Sequence, residues 1–516
     1  MADELATATP TALATVYIGT STPSDLPILT TPDTANGHPM TLKIGGAPAA
    51  ATIAESGYPA NPTPPRRHGL IAGWRRVANE FLSGTDERAR TQRDALIAFS
   101  VRVTSAALLY VTQVVLARWM GTSEYGIYVF VWTWVLVLGG LSHLGLSLAM
   151  IRLLPAYRET GDLASMRGLL RGGRLAAIGL GTLVAMVGLG GLWLAGPALS
   201  GPYVLPLYLA LVCVPLFALT DVQDGIGRGQ AWMDIALLPP YVLRPLLLLG
   251  AMLVAHRYGL PMRAETAAAA AIAATWGTAV MQTLLINRRL RATVSPGARR
   301  YAFREWFGIS LPLVVMAGSE LVLQNADVLV VSRYMSPADV GIYFAAAKTM
   351  SLILFVHYAV GSAVANRFSA LHARGDREAL RGFVRDAVNW TFWPSLASAV
   401  LILAIGLPLL ELFGPQFESG YPVMAILVMG FLARSAMGPA EFLLNTLGEQ
   451  QLCATVLTTA ATLDVALAFA LVPSFGLAGA AAATSIALSA AAGLNYLVAR
   501  RRLDIDIAIW HNLGRH

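Results

Sequence analysis

From Ala95 onward the chain alternates between long apolar runs and short polar connections. The runs fall at roughly 95–117, 127–150, 175–199, 204–220, 235–255 and 265–286, then at roughly 308–331, 340–363, 388–413, 423–440, 452–472 and 477–498. Each is close to the ~20 residues a helix needs to cross hydrocarbon. The pattern predicts an all-α polytopic membrane protein with about twelve transmembrane helices. Residues 1–65 are rich in Ala, Thr and Pro without apolar periodicity, which predicts a disordered tail. No apolar core lies near the start, so a cleavable signal peptide is not expected. Between Gly69 and Gly84, the residues Leu70, Ile71, Trp74, Val77, Ala78, Phe81 and Leu82 recur at helical spacing beside Arg75 and Arg76. That fits a basic helix on the membrane surface, or a short amphipathic linker, within a juxtamembrane segment 66–94.

Composition agrees with lipid as the solvent. Hydrophobic residues make up 56% of the chain and charged residues 13%, about half the usual ~25% of a soluble chain. The net charge of +7 resembles a nucleic-acid binder only until the cations are located. They cluster between the apolar runs, as topology signals do, so no nucleic-acid partner is expected. Arg is dense before the first run, at 152–174, 288–305 and 367–386, and after the last run at Arg500, Arg501 and Arg502. The opposite connections, near Gly121, Gly201, Gly259, Pro337, Gly420 and Ser474, are short and carry few cations. The positive-inside rule then places both termini, including a tail at 501–516, in the cytoplasm. Cys213 and Cys453 lie inside apolar runs without metal spacing, so no disulfide or metal site is expected.

The two sets of runs repeat each other. Arg118, Met120, Glu124, Gly126, Ile127 and Tyr128 recur as Arg333, Met335, Asp339, Gly341, Ile342 and Tyr343, and Arg152 falls on Arg367. After one residue of slip, Gly161 and Asp162 match Gly375 and Asp376, Arg167 and Gly168 match Arg381 and Gly382, and Arg171 matches Arg385. Gly259 and Leu260 match Gly476 and Leu477. The matched Arg, Gly and Asp positions at 161–171 and 375–385 lie outside the apolar runs, where similar composition alone does not create them. They predict two six-helix lobes, 95–300 and 301–500, related by a pseudo-two-fold along the membrane normal, with a cleft between them.

These residues resemble a known family. Arg118 to Tyr128, Leu144 to Ser147 and Arg152 to Pro155 look like the opening of a Wzx-type O-antigen or exopolysaccharide flippase. Leu311 and Pro312, Asp327, Val340 to Lys348, Asn445 to Gly448 and Val472 to Ala480 look like its later motifs. The resemblance spans roughly residues 95 to 500 and reaches the larger superfamily of MATE antiporters and the lipid II flippase. Twelve spans argue against the lipid II branch. The resemblance implies that a bacterial inner-membrane protein turns a polyprenyl-pyrophosphate-linked oligosaccharide repeat unit to the periplasmic leaflet. It also implies a polysaccharide polymerase and export proteins as partners, beside membrane lipids.

Such a substrate needs cations and polar groups in a solvated cleft, and intramembrane ionisable residues are the candidates. Arg244 lies mid-span between Pro240 and Pro245, where a broken helix lines a cavity or the side chain pairs locally. Lys348 sits about two turns into its span. Arg102 and Arg434 lie nearer membrane ends, where snorkelling competes with substrate binding. Arg152 and Arg367 open cytoplasmic loops and serve either a pyrophosphate or plain topology. Glu320, Asp327 and Asp464 are the acidic candidates for coupling to H⁺ or Na⁺, with Glu320, Gln324 and Asp327 forming a polar stripe. His143 and His357 read as interior histidines. Neither a catalytic signature nor a cofactor motif stands out, and Gly225, Gly227 and Gly229 lack the strand-to-helix context of a dinucleotide site. A drug antiporter of the same fold is the competing transport reading. A membrane polymerase or ligase would need a larger outer region than these short connections provide.

Overall fold

The computed structural model describes residues 87–195 and 201–511, with side chains over 104–194 and 201–511. The expected tail, the surface helix at 69–84 and the side chain of Arg102 lie outside the described residues. All described residues belong to one compact unit.

Nine described helices are long and apolar enough to cross a bilayer. The pair α5 (Val204–Leu211) and α6 (Val214–Gly229), bent by 45°, makes a tenth. Two of the nine are hairpins of two crossings each, which brings the number to twelve. Glu87–Ser142 is interrupted at Gly121, where φ is 76° and ψ 173°. It separates α1 (87–120) from α2 (122–142). The Tyr125 hydroxyl donates to Gln113 Oε1 at 2.9 Å, whereas twelve residues of continuous helix would set them ~18 Å apart. Gln450–Val498 breaks likewise at Gly476, with φ 57° and ψ −135°. A Cβ on Gly479 would stand 3.0 Å from the amide nitrogen of Val472, so the chain has turned back on itself there as well.

The remaining elements of the first lobe are α3 (Leu146–Glu159), α4 (Leu163–Ala195), α7 (Met233–Leu238), α8 (Arg244–Arg257) and α9 (Ala264–Thr293). The second lobe contains α10 (Phe303–Tyr334), α11 (Pro337–Met350), α12 (Leu354–Ala373), α13 (Arg377–Ala404), α14 (Gly406–Glu411), α15 (Tyr421–Ala436) and α16 (Ala440–Thr446). Its last helices are the two arms of the Gly476 hairpin, α17 (450–475) and α18 (477–498). In the first lobe α6 packs on α3, α4 and α9. Missing side chains at Gly225 and Gly229 make room for the Ser147 and Met150 carbonyls of α3. The glycine-rich stretch is a packing surface.

Local structure explains why the repeated residues repeat. Gly161 and Gly375 both take left-handed φ, 69° and 70°, and each releases the chain into an aspartate-capped helix. Asp162 Oδ1 accepts from the Ser165 amide, and Asp376 Oδ1 from the Ala379 amide, both at 3.0 Å. The Ser165 amide holds the Asp162 carboxyl below its usual range. Arg167 donates to the carbonyls of Ser295 at 2.8 Å and Ala298 at 3.0 Å, gripping the chain as it leaves α9. Its counterpart Arg381 donates to the Asp504 carbonyl and pairs with the Asp504 carboxylate, gripping the chain as it leaves the last helix. Each lobe thus ties its final segment to the base of its third crossing in the same way.

The lobes meet at the Arg-poor end. A Cβ on Gly126 would collide with the Pro337 carbonyl, and one on Gly341 would stand 2.6 Å from the Thr122 carbonyl oxygen. Residues 122 and 126 are the repeat partners of 337 and 341, so the contact is reciprocal, as a two-fold axis requires. Arg118 adds bonds to the carbonyls of Leu412 at 2.7 Å and Glu411 at 3.1 Å. The rings of Tyr110, Tyr125, Phe344, Phe413 and Phe417 pack edge-to-face or tilted beneath.

Candidate functional site

Between the lobes, at mid-depth, lie two adjoining cavities. The first, about 420 Å³, is walled largely by the first lobe, with Gln113, Tyr128, Trp132, Tyr241 and Arg244 in its lining. The second, about 250 Å³, belongs to the second lobe and is lined by Glu320, Asp327, Lys348, Tyr358, Arg434 and Thr484 among others. Gln324 and Phe355 line both. A third cavity shares Glu320, Gln324 and Tyr358 with the second and reaches Asn445, in the last turn of α16. Polar volume therefore leads from mid-membrane toward the Arg-rich side, while the glycine contact closes the other.

The prolines place Arg244. Pro239 and Pro240 cannot donate to the helix ladder, and the backbone widens to a π-turn over Pro239–Leu243, with the Arg244 amide donating to the Pro239 carbonyl. The guanidinium carbon then stands 4.9 Å from the centre of the Phe217 ring and 5.8 Å from that of Trp132. Such cation–π contacts hold a charge without neutralising it. Arg244 has no carboxylate within ion-pair distance among the described residues. Lys348 is similar: its Nζ is 5.0 Å from the Phe344 ring centre, and it too has no ion pair among the described residues.

The acidic stripe faces the second cavity. Glu320 Oε1 accepts from Gln324 Nε2 at 2.7 Å and from the Tyr358 hydroxyl at 3.1 Å. Asp327 is buried; its Oδ2 accepts from the Tyr343 hydroxyl at 2.6 Å and its Oδ1 from the Val328 amide at 2.8 Å. Asp464 on α17 is fully buried, and neither carboxylate oxygen has a hydrogen-bond partner among the described residues. Asp327 and Thr484 are its polar neighbours.

Of the other cation candidates, Arg434 lines the second cavity with Glu320 and Lys348, whereas Arg152 and Arg367 lie apart from it. Arg434 does not snorkel. It is 7% exposed, its Nη2 lies 2.7 Å from Glu441 Oε2, and the Tyr358 ring lies beside it. After α15 the chain turns at Gly438, with φ 59°, and brings Glu441 back against it. Sequence reasoning missed this partner because the turn intervenes. Arg152 is exposed on α3 at the Arg-rich end. Arg367 is exposed on α12, its guanidinium 4.5 Å from the Phe383 ring centre. Of the two histidines, His143 Nε2 lies 3.5 Å from Asp221, while buried His357 has no partner for either nitrogen among the described residues. Trp132, Phe217 and Tyr358 were not legible as site residues, since an aromatic in an apolar run looks like any lipid-facing one.

Comparisons with known proteins agree with this architecture. A multidrug resistance MATE family transporter of the MOP superfamily, solved in an inward-facing conformation, superposes with a TM-score of 0.66 at 15% identity, covering 79% of this chain and 98% of its own. The lipid II flippase MurJ, in an inward closed conformation, superposes with a TM-score of 0.58 at 14% identity, covering 78% and 87%. A MOP superfamily transporter from Pyrococcus furiosus, described as having a binding pocket of reverse polarity, gives 0.57 at 15%, covering 82% and 97%. At these identities the likeness establishes the fold. No curated protein sequence matches the chain. The MatE family model matches residues 312–470. The model described as polysaccharide biosynthesis protein matches residues 92–372, more than half the chain and across both lobes. On that match, carried on a two-lobed transporter fold, the chain belongs to the polysaccharide biosynthesis protein family.

Proposed function

We propose that this protein translocates a polyprenyl-pyrophosphate-linked oligosaccharide repeat unit across a bacterial inner membrane by alternating access, for surface or exopolysaccharide synthesis. The observation that carries this reading is Arg244. It is a mid-span cation, presented to a cavity on two aromatic rings and with no carboxylate within ion-pair distance among the described residues, Asp221 acting on it only from farther off. An unpaired cation in a bilayer is expensive, and an anionic headgroup repays that expense. Lys348 offers a second charge in the adjoining cavity. Gln113 and Gln324 supply the hydrogen bonds a glycan loses on leaving water. The Arg-rich end is the cytoplasmic one by the positive-inside rule, so the cavities accept substrate from the leaflet where the repeat unit is built. Asp327 and Asp464, with Glu320 nearer the entrance, carry the coupling to H⁺ or Na⁺. Arg152 and Arg367 meet the pyrophosphate at the mouth.

A drug antiporter of the same fold is the second reading. It is favoured by the carboxylates and aromatic rings of the second cavity, which suit a hydrophobic cation. Flipping per molecule, measured in vesicles with a fluorescent lipid-linked oligosaccharide, decides between them. Arg244→Ala and Lys348→Ala are expected to lose most flipping at normal membrane abundance, with Lys348→Arg retaining more than Lys348→Ala. Undiminished flipping by both alanine variants would refute the assignment.

A further inference from the structure

A cavity larger than either of the two central ones lies away from the lobe interface. It is a groove of about 670 Å³ at the Arg-rich end of the first lobe. The helices α4 and α9 both pack on α6 and leave a gap between them, floored by Leu219 and Gln223 of α6. Five arginines line it, Arg167, Arg171, Arg174, Arg291 and Arg299, and no carboxylate does among the described residues. Arg167 is committed to the chain leaving α9, and Arg174 bridges the gap to Asn287 Oδ1 at 2.7 Å. Arg171, Arg291 and Arg299 are exposed and have no hydrogen bond or ion pair to a described residue.

Two further observations show more than a solvated basic loop. Gln223 is fully buried, gives its amide to Thr283 at 2.6 Å, and leaves its Oε1 without a partner among the described residues. A buried acceptor needs a donor. The second lobe also supplies a control. Carrying the repeat register three residues past Arg171 and Arg385 sets Arg174 against Val388, and Leu170 against Val384. Those two valines are buried in one apolar cluster with Ile505, Ile507 and Ile509, from the segment after the last helix. The second lobe fills this place with its own chain, whereas the first leaves it open and lines it with cations.

The groove also has an apolar wall. Leu175 is 57% exposed, Ile178 is half-buried, and above them α4 presents Leu183, Met186 and Val187 outward. A ligand held here puts an anion among guanidinium forks and a chain along the lipid-facing side of α4. Arginine forks match phosphate oxygens, and basic pockets between membrane helices recognise phospholipid headgroups. We propose that this groove binds an acidic glycerophospholipid with a hydroxyl-bearing headgroup, such as a phosphatidylglycerol, the hydroxyl donating to Gln223 Oε1. The proposal is independent of what the central cavities carry.

The test uses the full chain purified in neutral detergent, with native mass spectrometry for bound lipid and thermal unfolding for stabilisation. Phosphatidylglycerol is expected to remain bound and raise Tm, while phosphatidylcholine of the same acyl chains does neither. The triple variant Arg171→Ala, Arg291→Ala, Arg299→Ala is expected to weaken binding by about a hundredfold, at roughly fivefold for each cation near a surface phosphate. A control triple at exposed Arg374, Arg377 and Arg502 should bind as the unmodified chain does. Leu175→Trp, which fills the groove without changing charge, should also lose the lipid. Equal loss in the control triple, or full retention in either groove variant, overturns the proposal. Stabilisation by inorganic phosphate alone would assign the groove to a free anion. Stabilisation by a polyprenyl phosphate but not phosphatidylglycerol would assign it to the carrier lipid, and each result refutes a glycerophospholipid site.

Discussion

The reciprocal glycine contact allows alternating access to be tested with one methyl group. The Arg-poor ends of the lobes touch through Gly126 and Gly341, and a Cβ on Gly341 would stand 2.6 Å from the Thr122 carbonyl oxygen. Ordinary contact begins at 3.4 Å, so Gly341→Ala asks the two helices to separate by about 0.8 Å. Gly126→Ala is harsher, since its methyl would overlap the Pro337 carbonyl and stand 2.8 Å from the Gly341 nitrogen. Overpacking a well-fitted contact costs roughly 1–3 kcal/mol. If the lobes part here during transport, the penalty falls on the closed state alone. It then moves the population toward the state open at the Arg-poor end by roughly 5- to 150-fold. Spin labels at exposed Ser123 and Glu418, on opposite lobes near this contact, report the shift through double electron–electron resonance. Gly341→Ala is expected to add a longer distance, and Gly126→Ala to make it dominant. An unchanged distance distribution in folded Gly126→Ala would mean the contact never opens, and the rocking scheme would fail with it.

Other consequences are as direct. Arg434→Ala or Glu441→Ala breaks an ion pair whose side chains are 8% and 15% exposed. Each is expected to destabilise by roughly 3–5 kcal/mol, and thermal unfolding should show the double variant losing less than the two single losses combined. Asp464→Asn should abolish the response of flipping to an imposed proton or sodium gradient while leaving the protein folded, and an intact response would remove Asp464 from coupling. Arg167→Ala and Arg381→Ala should each raise hydrogen exchange in one place only, at 295–300 and at 504–509 respectively. Exchange rising at both sites in either variant would contradict the view that each clasp serves its own lobe.

The positions of the crossings were legible because lipid demands length and apolarity and little else. Some predicted spans start within a few residues of an observed helix, as 265–286 does on Ala264–Thr293 and 235–255 on Met233–Arg257, whereas 388–413 begins well inside Arg377–Ala404 and runs nine residues past it. The excess length was not legible, since a helix continues into water wherever propensity allows. The run read as 127–150 instead bends at Leu144 and Gly145, both at positive φ, and ends at Glu159. The repeat was legible because its matched residues do local work that any copy must do again. Arg244 was legible from its flanking prolines. Partners brought together by tertiary folding were not: Glu441 lies across a turn from Arg434, and Asp464 meets Thr484 only because the chain reverses at Gly476. The basic groove was hidden for another reason. Arginines that mark topology and arginines that line a site are the same letters in a sequence.

The arginine clasps also determine where the molecule bends. The chain joining the lobes does not hang slack, because Arg167 pins Ser295 and Ala298, and the Arg300 amide donates to the Ala164 carbonyl at 3.0 Å. The start of α10 is fastened to the first lobe as well: Trp306 donates to the Tyr157 hydroxyl at 3.2 Å, and a Cβ on Gly145 would meet the Ser310 carbonyl at 2.6 Å. By Ser319, whose hydroxyl lies 2.9 Å from that of Thr458, the same helix is bonded to the second lobe. One rod is thus fastened near its start to the first lobe and farther along to the second, so that rotation of one lobe against the other would collect torsion in the eight residues between Ser310 and Ser319. Pro312 sits there, where a missing amide lowers the stiffness of the helix. The place for flexure between the lobes is then inside a membrane helix, with the inter-lobe connection as a fixed mount.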